Sequence, residues 1–385
     1  MSTSTRTSER LSAARERLLN APGESARAHA SALAVACARV IGSGQLILGP
    51  EVGAFEATLA KASDCRHAVG VANGTDALEL CLRAVGAGPG DRVITVGHTA
   101  GATLRAILRT GATPLLVDID PRTFLMDLEQ ARGALETAKN VRALLPVHIY
   151  GHPLDLGALR ALADQFGVAL VEDCAQAFGA TFAGKAVGSS SDCAAFSFYP
   201  TKNLGALGDA GAALTNSDAR AERLRQMREY GWKQRQDALD FGINSRLDEL
   251  QAALLRVKLA AFAQEQQRRE QIAARYHEAL AGTDVALPSV QAGARHAWHL
   301  FVLRVRERDA VRSWLAKHGL PLPVHYLIPA HRQPAYAGVE VFEGPLAHTD
   351  LAAREILSLP LHPQLRDDDV DLVCEMLREA LAQSA

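Results

Sequence analysis

The chain has no C-x-x-C pair: its six cysteines, Cys37, Cys65, Cys81, Cys174, Cys193 and Cys374, come no closer than 16 positions to one another. That spacing excludes a small disulfide scaffold and supplies no tight zinc set. The thiols read as reduced, core-like residues, and no metal is expected. Charge of either sign is not in excess, because 41 Lys+Arg and 43 Asp+Glu leave a net −2. Nothing there suggests a nucleic-acid partner. No apolar run approaches the ~18–20 residues that cross a bilayer. The opening stretch MSTSTRTSERLSAARERLL lacks the apolar centre of a secretory signal. A cytoplasmic chain without a membrane partner is the expectation. Also missing are the G-x-x-x-x-G-K-S/T loop and the G-x-G-x-x-G fingerprint, which argues against an NTPase and a dinucleotide oxidoreductase.

What the sequence has is core material: 48% of 385 residues are hydrophobic, enough for roughly two domains. Residues 1–30, rich at the start in Ser, Thr and Arg, read as a frayed arm or short helix. Short apolar runs then alternate with helical patterns. Strands are expected at Arg92–Val96, Pro114–Asp118, Ala143–Ile149, Val168–Glu172, Ala194–Phe198 and Ala212–Thr215. Helices are expected at Ala77–Val85, Ala102–Arg109, Leu154–Phe166 and Ala219–Tyr230. Such alternation argues for right-handed crossovers and a largely parallel sheet in a large α/β domain, residues 31–262. A helical pattern free of Pro and Gly, Arg246–Ala281, carries the chain out of it. A strand (His299–Val305) and two helices (Arg308–His318, Asp367–Ala382) then make residues 263–385 a smaller α+β domain.

Three stretches carry chemistry. In VGVANGTDALELCL an apolar run enters Asn73-Gly74-Thr75 and an apolar helix leaves. Free N–H groups and the positive end of a helix dipole there would suit a phosphate. Taken alone, an ordinary helix cap is the favoured explanation. In VALVEDCAQAFGA the apolar run ends on Glu172 and Asp173, with Gln176 three residues on. Strand ends of this kind line the crevices of open α/β sheets, although a structural Asp is an equal reading. In AAFSFYPTKNLGALGDAG a strand delivers Ser197 and Lys202 into a loop with Gly205, Gly208 and Gly211. A lysine needed as an amine nucleophile must lose its proton near neutral pH, and partial burial promotes that. Lys, strand-end Asp and phosphate cradle together fit pyridoxal 5'-phosphate chemistry.

The ordered set resembles the pyridoxal-phosphate-dependent sugar aminotransferases of the DegT/DnrJ/EryC1/StrS family. Further matching pieces run from LILGPEVGAFE to LSLPLHPQL, with HIYGHPLDL, GINSRLDELQAA, AWHLFVLRV and VHYLIPAHRQPAY between them. The resemblance implies an aspartate-aminotransferase-like, type I fold, with a large, mostly parallel seven-stranded sheet flanked by helices and a smaller C-terminal domain. It implies Lys202 as imine-forming base and proton shuttle, and Asp173 as partner of the ring nitrogen. Gln176 would lie near the ring hydroxyl. Gly74, Thr75, Asp76 (through its backbone) and Ser197 would hold the phosphate. Asn244 would reach the phosphate of the neighbouring subunit, since the family shares its sites across a homodimer. Arg246, His148, His325 and Tyr326 are substrate-pocket candidates.

Two departures stand out. Ala100, in VGHTAGAT, replaces the aromatic residue that often stacks on the ring, leaving His98 or no residue to do so, and Gln45 replaces another aromatic. The implied reaction moves an amino group from L-glutamate or L-glutamine to a keto sugar, most simply a nucleotide-diphosphate-linked one, through pyridoxamine 5'-phosphate as the aminated cofactor. The rivals are a keto-cyclitol aminotransferase, a sugar dehydratase of the same family and a non-catalytic regulatory homologue. The dehydratases carry His where Lys202 stands, and a regulator would not need Lys202, Asp173 and Ser197 intact.

Overall fold

The computed structural model describes residues 3–384. Met1, Ser2 and Ala385, the outermost residues of the expected arm and C-terminal domain, lie outside the described residues. Seven strands of the main sheet lie within the first 215 residues: β1 (His67–Val71), β2 (Arg92–Val96), β3 (Thr113–Val117), β4 (Val141–Leu144), β5 (Ala169–Asp173), β6 (Cys193–Ser197) and β7 (Gly211–Thr215). They pair in the order β1-β7-β6-β5-β4-β2-β3. Only β7 runs antiparallel to its neighbours. Helices cover both faces, so adjacent residues enter different cores: Val93 packs in one cluster and Ile94 in another. That is why the strands read as nearly continuous apolar runs rather than alternating ones.

Three details depart from expectation. The sheet has an eighth strand, Glu340–Val341, parallel to β3 and contributed by the C-terminal part. Two residues are too few to show a period, and the strand is fastened by bonds from Arg92 to Glu340 of 2.6 and 3.1 Å. The run expected as Ala143–Ile149 stops as a strand at Leu144, because Pro146 has no N–H for the ladder. Finally, residues 1–30, expected as a frayed arm or short helix, contain a 17-residue helix, Thr3–Leu19. Leu11, Ala14 and Leu18 make a stripe at helical spacing and are buried in the C-terminal core. Arg17 adds a two-pronged bond to Asp369 at 2.8 and 2.6 Å.

That C-terminal core surrounds a small antiparallel pair, Phe301–Arg304 with Ile356–Leu359. Helices Arg308–Lys317 and Asp367–Ser384 pack on it. The helix Glu249–Ala279 links the cores, giving Ala252 and Leu255 to one and Ile272, Ala273 and Tyr276 to the other. The parallel arrangement matters most for the site, because it brings the carboxyl ends of β1, β2, β5 and β6 to one edge of the sheet.

Candidate active site

A cavity of about 240 Å³ opens at that edge. Its floor begins where β1 passes into the helix Gly74–Ala84. Asn73 caps the helix, its side chain accepting the N–H of Asp76 at 2.9 Å. This bond leaves the N–H groups of Gly74 and Thr75 open toward the cavity, as first-turn donors are. It also corrects the expectation for Asp76, whose N–H is already taken. The Asp76 carboxylate is engaged elsewhere, accepting from Arg109 at 2.9 Å and Ser245 at 2.7 Å. Two glycines are sterically required here. A Cβ on Gly74 would lie 2.6 Å from that of Ser197, and one on Gly211 would lie 2.4 Å from the carbonyl carbon of Asn73.

Asp173 ends β5 and lines the opposite wall, almost wholly buried. One carboxylate oxygen accepts the Ala175 N–H at 3.1 Å and the other accepts the Thr103 hydroxyl at 2.8 Å. Burial pushes its pKa up, against the opposing pull of these bonds and of Lys202. Lys202 sits half-buried in the loop after β6, which is held by bonds from Lys202 N to Tyr199 O and from Ala206 N to Phe198 O, both 2.8 Å. Burial lowers its pKa to about 8, with Asp173 pulling the other way. A buried carboxylate in want of a cation, an amine losing its proton and open helix N–H groups therefore face one space. This donor set suits a flat group with a protonatable ring nitrogen, an electrophilic carbon and a phosphate.

Ser197 and Gln176 also line the cavity. Both ends of the Gln176 amide are spoken for: its oxygen accepts the Tyr150 N–H at 2.7 Å, and its nitrogen donates to the Tyr326 hydroxyl at 3.0 Å. Tyr326 thus touches the site through Gln176 rather than lining the cavity. His325 bonds Ser358 at 2.9 Å and lies outside the lining. Asn244 is exposed, Arg246 is half-buried and 3.8 Å from Glu229, and neither lines this cavity.

Two histidines are placed differently from expectation. His98 is buried, donating from Nε2 to the Tyr150 hydroxyl at 2.6 Å beside Phe124. Burial lowers its pKa to about 4. It is not among the residues that line the cavity, whereas Ala100, which precedes the helix Gly101–Thr110, is. His148 is completely buried and so lies off any substrate path. Its Nδ1 accepts the Leu154 N–H at 3.1 Å, which fixes the proton on Nε2, and Nε2 donates to Glu172 at 2.7 Å. With Cys174 these two form a cluster of metal-ligand types. Both imidazole nitrogens are already engaged, however, so neither has a lone pair free for a cation.

Sequence reasoning missed Thr99 and Thr103, which line the cavity beside Asp173. Their role depends on β5 lying two strands from β2, with β4 between, and no local signal announces that.

Residues 29–378 match the DegT/DnrJ/EryC1/StrS aminotransferase family. The chain is 45% identical over 362 residues to dTDP-3-amino-3,4,6-trideoxy-alpha-D-glucose transaminase of Streptomyces venezuelae, 94% of each chain being covered. The solved structure of S. venezuelae DesV in complex with a ketimine intermediate aligns with a TM-score of 0.90 at 44% identity, over 94% of this chain and 97% of that one. NtdA of Bacillus subtilis with bound cofactor PMP aligns with a TM-score of 0.84 at 30% identity, over 92% and 82%.

Proposed function

We propose, from the premise that the chain belongs to the DegT/DnrJ/EryC1/StrS aminotransferase family, that it moves an amino group from an amino acid to a keto sugar carried on a nucleotide diphosphate. The observation that carries this reading is Lys202 facing Asp173 across one cavity floored by an open helix N-terminus. Pyridoxal 5'-phosphate, when bound, supplies an electrophilic carbon and a sink for electrons. Lys202 would hold it covalently, Asp173 would pair with its ring nitrogen, and Gly74, Thr75 and Ser197 would take its phosphate. Asn244, exposed in one protomer, would complete the phosphate site of a second copy.

Lys202 is suited to move protons. With a pKa of about 8, about one amine in ten is neutral at pH 7, against about one in three thousand at the ordinary value. Asp173 supplies fixed negative charge where burial has removed competing water. Its raised pKa is the cost of that placement, and a cation opposite it lowers the pKa again. The cavity of one protomer, about 240 Å³, falls below the ~300–1,000 Å³ usual for drug-sized ligands. It has room for a cofactor, and the sugar nucleotide would extend past its mouth. The dTDP-sugar and UDP-sugar transaminases among the relatives support the nucleotide-linked acceptor.

Loading the protein with pyridoxamine 5'-phosphate and adding candidate acceptors tests the reading. A dTDP- or UDP-linked keto sugar should convert the cofactor spectrum to that of the aldehyde form within one turnover. If keto-cyclitols do so and nucleotide-linked sugars do not, the substrate assignment fails.

A further inference from the structure

The carboxylate of Asp173 is held from behind as well as faced from the front. Its Oδ2 accepts the hydroxyl of Thr103 at 2.8 Å, and Thr103 lies 2.7 Å from the hydroxyl of Thr99. Thr103 is 0% exposed and Thr99 2%. A hydroxyl owns one proton. Because Thr103 gives its proton to Asp173, the Thr99–Thr103 bond has to be donated by Thr99. The chain Thr99 to Thr103 to Asp173 therefore points one way while Asp173 is ionised. A protonated Asp173 could donate back and reverse it. Bonds in such a chain strengthen one another in a poorly polarisable interior.

From this arrangement we infer that Thr103, backed by Thr99, is a positioning residue for Asp173, fixing the carboxylate's direction and keeping it ionised for a cationic partner in the cavity. The inference rests on the proposed pairing of Asp173 with the cofactor's ring nitrogen. Two contacts to the carboxylate support it. Ala175 N–H occupies one lone pair of Oδ1 and Thr103 one of Oδ2. Each oxygen keeps another for a partner in the cavity, and the carboxyl plane is held at both edges. Lys202, His148, Tyr326, Cys174 and Cys81 surround the same carboxylate. Of these only Lys202 brings a cation from inside the cavity, and it is the group that must shed its charge to act. Thr103 is thus the constant support for the ionised form, independent of the protonation of Lys202.

The test uses the apo and cofactor-loaded chain, with Thr103→Val removing the hydroxyl at nearly constant volume and Thr103→Ser restoring it. Aspartate labelled at the carboxyl carbon with ¹³C gives a titration of Asp173 in the apo protein, assigned by its loss in Asp173→Asn. The midpoint should rise by about one pH unit in Thr103→Val, return in Thr103→Ser, and rise by less in Thr99→Val. An unmoved midpoint in Thr103→Val, or no recovery in Thr103→Ser, overturns the inference. In the loaded protein the pH midpoint of the cofactor's visible band should shift with that of Asp173. A shifted Asp173 beside an unshifted band would retain the role of Thr103 toward Asp173 and refute the pairing with the ring nitrogen.

Discussion

Replacing Lys202 by Met asks what the amine costs the fold before any cofactor arrives. In the apo protein the amine titrates at about 8 instead of 10.5, a depression of roughly 2.5 pH units. At about 1.4 kcal/mol per unit this amounts to ~3 kcal/mol of lost stability. The sign follows from proton counting. The unfolded chain binds the proton more readily than the folded one, so the penalty is complete below pH 8, shrinks between 8 and 10.5, and vanishes above. Met keeps the length and apolar bulk of the side chain without the charge. Some of the gain is returned, because the variant also removes the cation that helps to keep Asp173 ionised. The net expectation for Lys202→Met is a stabilisation of ~1–3 kcal/mol at pH 7 that decays toward zero by about pH 10.5. Urea unfolding of the apo protein and variant at pH 7, 8.5 and 10 would measure it, with the slope m unchanged. Destabilisation at pH 7, or a gain that does not shrink with pH, would refute the placement of this amine in a water-poor cavity.

Three further outcomes are expected. Asp173→Asn should abolish transamination yet leave the apo protein at least as stable as the parent at pH 7. The folded carboxyl holds its proton more tightly than the unfolded one, so the parent loses stability as pH rises through that window; urea midpoints from pH 3.5 to 7 should converge at the acid end. Gly74→Ala, whose Cβ would stand 2.6 Å from that of Ser197, should cost ~1–3 kcal/mol and weaken pyridoxal phosphate binding in an equilibrium titration. Leu18→Ala, removing a buried anchor of the first helix, should cost ~2–4 kcal/mol and speed hydrogen exchange in the helix Asp367–Ser384.

Much of the sheet was legible because a doubly covered strand must be apolar throughout: β2 coincides residue for residue with the run Arg92–Val96. Gly74, Asp173 and Lys202 were legible for a related reason, since a polar residue or glycine that ends or shortly follows such a run lies near a strand end. Side-chain direction was not. His148 and His98 were site candidates through the family resemblance, but packing turned one toward Glu172 and the other toward Tyr150. Asp76 was read as a backbone donor, whereas the Asn73 cap consumes its N–H. The link between Tyr326 and Gln176 spans 150 residues, and the strand Glu340–Val341 joins the sheet across a longer gap still. Contacts of that range leave no periodic trace. A short N-terminal helix was one of two readings of the arm, but its docking was hidden by composition, because three small or aliphatic side chains among Ser, Thr and Arg were enough to dock it.

The account turns on where vitamin B6 attaches. Reducing the loaded protein with borohydride, digesting it and sequencing the pyridoxyl peptide by mass spectrometry should place the tag on Lys202 alone, and Lys202→Met should carry none. A tag on another lysine, or a reduced protein without any, would contradict the account.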